Sequence, residues 1–409
     1  MTDYVSCAPE TLYRAGGFPE GPELLAKLQR FEPIADLIEE LYPPWHYRRP
    51  LPATLSLRDP AIETALRQMC GRIEANHGLG PGSVLVGLDH AVVRKNVVYV
   101  RANDRRWCVY ESHRPCDRAM AGPLDLNAPA EPFEGLDGPH LYLGSPGSFN
   151  YGHWLIDDMP RLKAVPTLGR RYPGATVTLV LPRHDVQIDA VRANAARTFL
   201  RGGPPVAIRF VDPEAARSFS RLYFSTPVND HPVAKSPDAL DHLGATLQHW
   251  SDGLHKEVLA ARLRDLWRSG RPGLRLFVDR NPKRLRDLLN RNAIRTLLRR
   301  WGFRVLNTER MPFDKQVALF SNAGIVVGIM GAGMANTLFC RPGTPVVYLA
   351  PETWLEAFYW DLAATRGHPY HVLYGPTEAG ERSEHLRDFT IDPAELDRVL
   401  AGIAGAPLR

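Results

Sequence analysis

From Ser83 the chain alternates short apolar runs with polar turns. Val84–Val86, Val97–Val100 and Trp107–Tyr110 predict three extended strands. From His140 onward the pattern changes to strands alternating with helices. A strand is expected at His140–Leu143, a helix over about 151–168, a strand at Thr176–Leu181 and a helix over about 185–201. Strands at Ala207–Val211 and Arg221–Ser225 and one long helix from Pro237 to Arg268 follow. The run Thr176–Leu181 is apolar almost throughout, as in a strand buried on both faces. Ser269–Gly273 reads as a linker.

Beyond the linker the alternation is clearer. Strands are expected at Leu274–Val278, Phe303–Leu306, Ile325–Ile329, Pro345–Leu349 and Tyr370–Leu373. Helices are expected at Asn290–Trp301, closed by Gly302, and at Pro312–Ala323, about 334–340, Trp354–Arg366 and from an Asp392 cap to Ile403. This order predicts an α/β fold with parallel sheets wrapped by helices. The divisions expected are an N-terminal extension of mixed helix and loop over 1–80, an α/β domain over 81–268 and a second α/β domain over 269–409. Two such units would leave a cleft, and open α/β sheets bind ligands beyond the carboxyl ends of their strands.

Composition narrows the class. The chain has 409 residues, 44% apolar and 23% charged, which suits two globular domains. Its net charge of +5 does not call for nucleic acid. The five cysteines Cys7, Cys70, Cys108, Cys116 and Cys340 are scattered and form no disulfide framework, so a reducing, cytoplasmic location is expected. Cys108, His113 and Cys116 lie close together but lack a fourth ligand at zinc-site spacing. The start, MTDYVSCAPE, has no basic stretch followed by an apolar run, and no 18-residue apolar stretch occurs. Any work at a membrane is then peripheral, on its inner face.

Two segments carry candidate chemistry. In Ile325–Asn336 an apolar strand runs into Gly331-Ala332-Gly333 and then into a helix. Glycines allow close backbone approach, and helix N–H groups there would face a phosphate or diphosphate. The plain alternative is a tight turn that binds nothing, since neither a complete G-x-G-x-x-G nor a P-loop lysine is present. Strand Leu274–Val278 ends in a basic run that includes Arg280, Lys283 and Arg286, on the same sheet edge as the glycine turn. Arg280 there could grip a diphosphate with two donors.

The second segment is Asn150–Leu162. If helical, it sets His153, Asp157 and Arg161 on one face. His153 with Asp157 makes a candidate proton-accepting pair in which either residue could be the base. Asp158 points about 100° away on an ideal helix and would pair with backbone or with Arg161. Pro160 should bend or end the helix.

Together these segments resemble glycosyltransferase family 61, in its bacterial, capsular and exopolysaccharide-type members. Asn150-Tyr151-Gly152-His153-Trp154-Leu155, Asp157 and Met159-Pro160-Arg161-Leu162 follow the family's first motif, with Met159 for Leu. Arg280, Arg286 with Asn290, Gly302-Phe303, Glu309, Phe313 with Gln316, Val327-Gly328, Gly331-Ala332-Gly333-Met334, Asn336, Phe339 and Pro342-Gly343 follow in the family's order. The chain departs from the pattern at Met330, where the family has His, and at Arg291 and Tyr348, where it has Glu.

The resemblance implies a GT-B fold: two Rossmann-like domains facing a central cleft. It implies an inverting, metal-independent glycosyltransferase of bacterial surface polysaccharide synthesis. The donor would be a nucleotide-diphosphate sugar and the acceptor a glycan or lipid-linked glycan, with no further cofactor. No Asp-x-Asp motif of metal-dependent transferases is present. His153, Asp157 and Asp158 are the candidate catalytic residues. Arg280, Lys283, Arg286, Glu309, Gln316, Gly331, Ala332, Gly333, Met334 and Asn336 are the candidate donor-binding residues. A GT-B-like sugar-nucleotide epimerase, or a non-catalytic nucleotide- or glycan-binding homologue, are the alternatives.

Overall fold

The computed structural model describes residues 3–8, 28, 34–56, 60–75, 80, 82–102, 104–127, 129–135, 137–230, 234–251, 255–269, 273–281, 286–378, 383 and 386–404. The chain divides into two compact units. One comprises Met1–His46 and Gly78–Leu243, the other Tyr47–His77 and Gly244–Arg409. The division falls between Leu243 and Gly244 rather than at the expected linker, and the segment 47–77 belongs with the C-terminal half.

The first unit is built on a mixed sheet. Arg217–Ser225 pairs antiparallel with Ser83–Arg94, which pairs antiparallel with Val97–Ala102 and with Ala35–Tyr42. On its other side Arg217–Ser225 runs parallel to His140–Tyr142, then Val177–Pro182 and Val206–Val211. The parallel sheet expected from the strand–helix alternation is therefore one half of a mixed sheet. A parallel step needs a crossover of a dozen or more residues. Strands Ser83–Arg94 and Val97–Ala102 are separated only by Lys95 and Asn96, both at positive φ, which is a two-residue hairpin. Where helices do intervene, as between His140–Tyr142 and Val177–Pro182, the parallel prediction holds. Val177–Pro182 is buried along its whole length.

The second unit carries a fully parallel sheet. Its order is Arg304–Leu306, Leu274–Val278, Ala323–Ile329, Val346–Pro351, Tyr370–Gly375 and, at the edge, Thr54–Ser56. Helix Arg291–Arg300 buries Ile294, Leu297 and Leu298 against it. Each such side chain contributes roughly 1.5–3 kcal/mol. The helix ends at Gly302, whose φ of 76° fits only glycine comfortably, and Phe303 N–H bonds back to Leu298 O at 2.9 Å. Asp392 caps helix Pro393–Ala404 through Ala394 N–H at 3.0 Å.

Two helix expectations change. The long helix from Pro237 to Arg268 is two helices, Pro237–Ser251 and Lys256–Ser269. The helix expected from Trp354 starts only at Phe358, leaving Trp354 in a turn.

Candidate functional site

In the first unit the site is set up by a change of helical pitch. Asn150 opens the helix, its side-chain oxygen accepting from Gly152 N–H at 2.8 Å. One α-turn, Tyr151–His153, gives way to a wide π-turn at Trp154–Asp158 and a tight 3₁₀ stretch at Met159–Lys163. Regular α-helix resumes at Ala164–Arg171. The single helix expected over 151–168 is thus one continuous right-handed spiral of uneven pitch. Pro160 sits in the 3₁₀ stretch, consistent with the bend expected of a proline without an N–H. π-Turns of this kind recur at functional sites.

The expected His–carboxylate contact is present. His153 Nδ1 lies 2.9 Å from Asp157 Oδ2. Asp157 Oδ1 accepts from Asn229 Nδ2 at 2.8 Å, and the same amide donates to Ile156 O at 2.7 Å. Asn229 Oδ1 in turn accepts from Ser236 N–H at 2.9 Å. Asp157 is thereby held through both oxygens. With Nδ1–H donated to Asp157, Nε2 is the nitrogen that can accept a proton. Burial works against the imidazolium, but the hydrogen bond and charge of Asp157 outweigh it, so His153 titrates above the ordinary histidine value. Gly147 backs the ring so closely that a Cβ there would lie 3.0 Å from His153 Cγ.

Asp158 borders the same cavity as His153 and Asp157 and is almost wholly shielded from solvent. It accepts from Ser148 Oγ at 2.6 Å and from Arg161 Nη1 at 3.3 Å. Arg161, also buried, donates Nε to Ser225 O at 2.9 Å. The expected pairing of Asp158 with Arg161 is found. His153, Asp157 and Arg161 border one cavity, as expected of a shared face, and within it Arg161 pairs with Asp158. Burial raises the Asp158 carboxyl and lowers the Arg161 guanidinium, each opposed by the other's charge. A cavity opens beside the pair, lined by His153, Asp157 and Asn229 together with Glu111, Arg114 and Ser145.

In the second unit, Arg280 and the glycine turn meet. Arg280 Nη1 donates to Met330 O at 3.2 Å, and a Cβ on Gly331 would lie 3.0 Å from that same nitrogen. The helix that follows is 3₁₀ and starts earlier than expected, at Ala332–Phe339. Met334 N–H bonds to Gly331 O at 2.8 Å, so Ala332 and Gly333 open the helix with N–H groups that have no intrahelical acceptor. The Met330 side chain is fully buried, as is Met334.

Arg286 stands nearby in charge terms. It has a left-handed φ of 62°, uncommon for a non-glycine residue, and its guanidinium stacks 3.8 Å from the Trp354 ring centroid. Its Nε is buried with no hydrogen-bond partner among the described residues. Burial and the Arg280 charge push it down to about 10. Two guanidiniums that repel each other, one with an unmet donor, make a site that gains from an anion.

Arg291, one of the departures from the family pattern, braces this loop. It pairs with Asp279 and with Asp287 and donates to Arg280 O at 2.7 Å. Gln316 and Asn336 lie beneath the turn rather than on its surface. Asn336 Nδ2 donates to Gln316 Oε1 at 2.8 Å, and Gln316 Nε2 donates to Thr308 O and Met311 O, both at 3.0 Å. Glu309 is exposed in the short turn Thr308–Arg310. Lys283 lies outside the described residues.

Among the described residues no group of three or more His, Cys, Asp or Glu is placed to hold a metal ion. His113 faces Tyr4 Oη at 2.8 Å and Gly122 O at 3.1 Å. Nor is any described helix long and apolar enough to cross a membrane. Sequence reasoning missed Asn229, Ser148 and Trp354. All three lie in turns or irregular chain or at a strand end, where no periodicity points to them.

Residues 151–347 match the family model described as glycosyltransferase 61, a span that holds His153, Asp157, Arg280 and the glycine turn. A search of curated proteins finds no match.

Proposed function

From the premise that this chain is a glycosyltransferase carrying a family 61 domain over residues 151–347, acting on a sugar donor and a glycan acceptor, we propose an inverting, metal-independent transfer from a nucleotide-diphosphate sugar. The observation that carries the reading is the chain of contacts from Asn229 through Asp157 to His153. It fixes the imidazole so that Nε2 takes the proton of an acceptor hydroxyl. The acceptor oxygen attacks the anomeric carbon as the bond to the diphosphate breaks on the opposite face. The imidazolium formed is stabilised by Asp157. Asp157 is the weaker candidate base, because both of its oxygens already accept hydrogen bonds.

The departing diphosphate takes on charge that must be met. Arg280, Arg286 and the first amides of the 3₁₀ helix are the groups assigned to it. This reading corresponds to a GT-B-type division of labour, with the acceptor side in the first unit and the donor side in the second. The acceptor class is a bacterial surface glycan or its lipid-linked precursor, at the cytoplasmic face.

The test is a turnover assay in EDTA, in which the wild type should keep its rate. His153→Ala should lower kcat by about 10²–10⁴-fold with little change in donor affinity. Asp157→Asn should cost less. A reversed order would make Asp157 the base, and less than a tenfold loss in both would move the chemistry away from this helix.

A further inference from the structure

We infer that helix Lys256–Ser269 and the polar groove beside it form a docking surface for an anionic lipid bilayer. The helix packs one side inward through Val258 and Ala261, both buried. Its opposite side carries Leu259, Leu263 and Leu266, which are 52%, 56% and 41% exposed. Their spacing of four and three residues places them in a single stripe. Isolated exposed leucines need no explanation, but three aligned on one helix face mark an interaction surface.

Charge identifies the occupant. On a helical projection Lys256 and Arg262 flank the leucine stripe at about 60° on either side, with Arg264 further round. Lys256 and Arg264 are exposed. An apolar stripe bordered by cations is the pattern of a helix that lies in the plane of a membrane interface.

The groove alongside continues the pattern. Two adjoining hollows share Arg262, Arg341, Ser321 and Asn322, and Leu259 lines one of them. Arg262 is oriented by Asn322, its Nη1 donating to Oδ1 at 3.0 Å, while Arg341 is exposed. Two guanidiniums lining one groove suit the phosphate of a lipid headgroup. This edge of the sheet is the one where Gly273 and Thr344 precede their strands and Ala323 begins its own. Arg280 and Gly331 lie at the other edge, after theirs. Docking here therefore leaves the glycine turn unobstructed.

The experiment is co-sedimentation of the full chain with phosphatidylcholine vesicles, with and without phosphatidylglycerol. The wild type should pellet with the anionic vesicles and lose binding as salt is raised. Replacing Leu259, Leu263 and Leu266 together by Ser should lower the partition by about tenfold or more. Arg262→Gln with Arg341→Gln should remove the preference for anionic lipid. All these side chains are exposed or border solvent, and an unchanged Tm verifies the fold. Equal binding to both vesicle types, or no effect of the Leu substitutions, overturns the proposal. So does a wild-type dimer in light scattering that Leu263→Glu converts to monomer, since a second copy would then cover the stripe. The readout needs no substrate, so it fails or succeeds separately from the proposed transfer reaction.

Discussion

At the scale of single residues, two adjacent carboxylates take opposite roles because of what surrounds them. Both border the cavity, but Asp157 faces an imidazole and Asp158 is fully buried beside a guanidinium. The Asp157 partnership raises the His153 pKa, so the free base on which the proposed reaction depends is depleted as pH falls through that raised value. The acid limb of the kcat/KM profile should lie above the ordinary histidine range of about 6.5. Asp157→Asn should move that limb to lower pH, and a pH profile of the two proteins decides it. Asp158→Ala should act on folding instead. It strands a buried Arg161, and removing one partner of a buried ion pair destabilises by about 3–5 kcal/mol. Denaturant unfolding measures this. The adjacency Asp157-Asp158 and the His-x-x-x-Asp spacing were readable in the sequence. Asn229, which holds Asp157, was not, because it lies 72 residues away and only the folded sheet brings it back.

At the scale of elements, strand ends and the turns after them make the proposed donor side. Arg280 follows strand Leu274–Val278, the glycine turn follows Ala323–Ile329, and the parallel register brings the two together. Arg280→Ala should weaken nucleotide-diphosphate binding by about 1.5–3 kcal/mol, the usual worth of a charge-assisted contact. Isothermal titration with a nucleoside diphosphate checks this, and unchanged affinity in a folded variant would place the donor elsewhere. The second unit was legible in sequence nearly strand by strand, since buried parallel strands read as unbroken apolar runs such as Val346–Leu349. Helix pitch was not legible. Residues 151–171 carry helix-compatible spacing throughout, and only the competition among packing, Pro160 and the buried Asp158–Arg161 pair selects π and 3₁₀ turns. Nor could spacing reveal that Trp354 leaves its helix to stack on Arg286.

At the scale of the whole molecule, the surprise is the path of the chain. It leaves the first unit at His46, contributes Tyr47–His77 to the second, returns at Gly78 and leaves again at Leu243. No local pattern announces such an excursion, because each crossing looks like any other loop; the sequence suggested only an extension before residue 80. The excursion is anchored at Asp361, which is fully buried and accepts from Tyr47 Oη at 2.6 Å and from Arg49 Nε at 2.5 Å. Trp360 Nε1 adds a bond to Pro50 O at 2.8 Å. Asp361→Ala should lower Tm and open the segment 47–56 to limited proteolysis that the wild type resists; an unchanged digestion pattern would show that edge-strand pairing alone holds it. Tyr47 and Asp361 are 314 residues apart in the chain. During synthesis the ribosome releases the segment 47–77 long before its partners exist. The nascent protein must carry an unpaired strand, Thr54–Ser56, until Tyr370–Gly375 emerges. The second unit thus completes its sheet only once Tyr370–Gly375 has been made, and a chain cut short before that strand would keep a lasting sticky edge rather than make a smaller working enzyme.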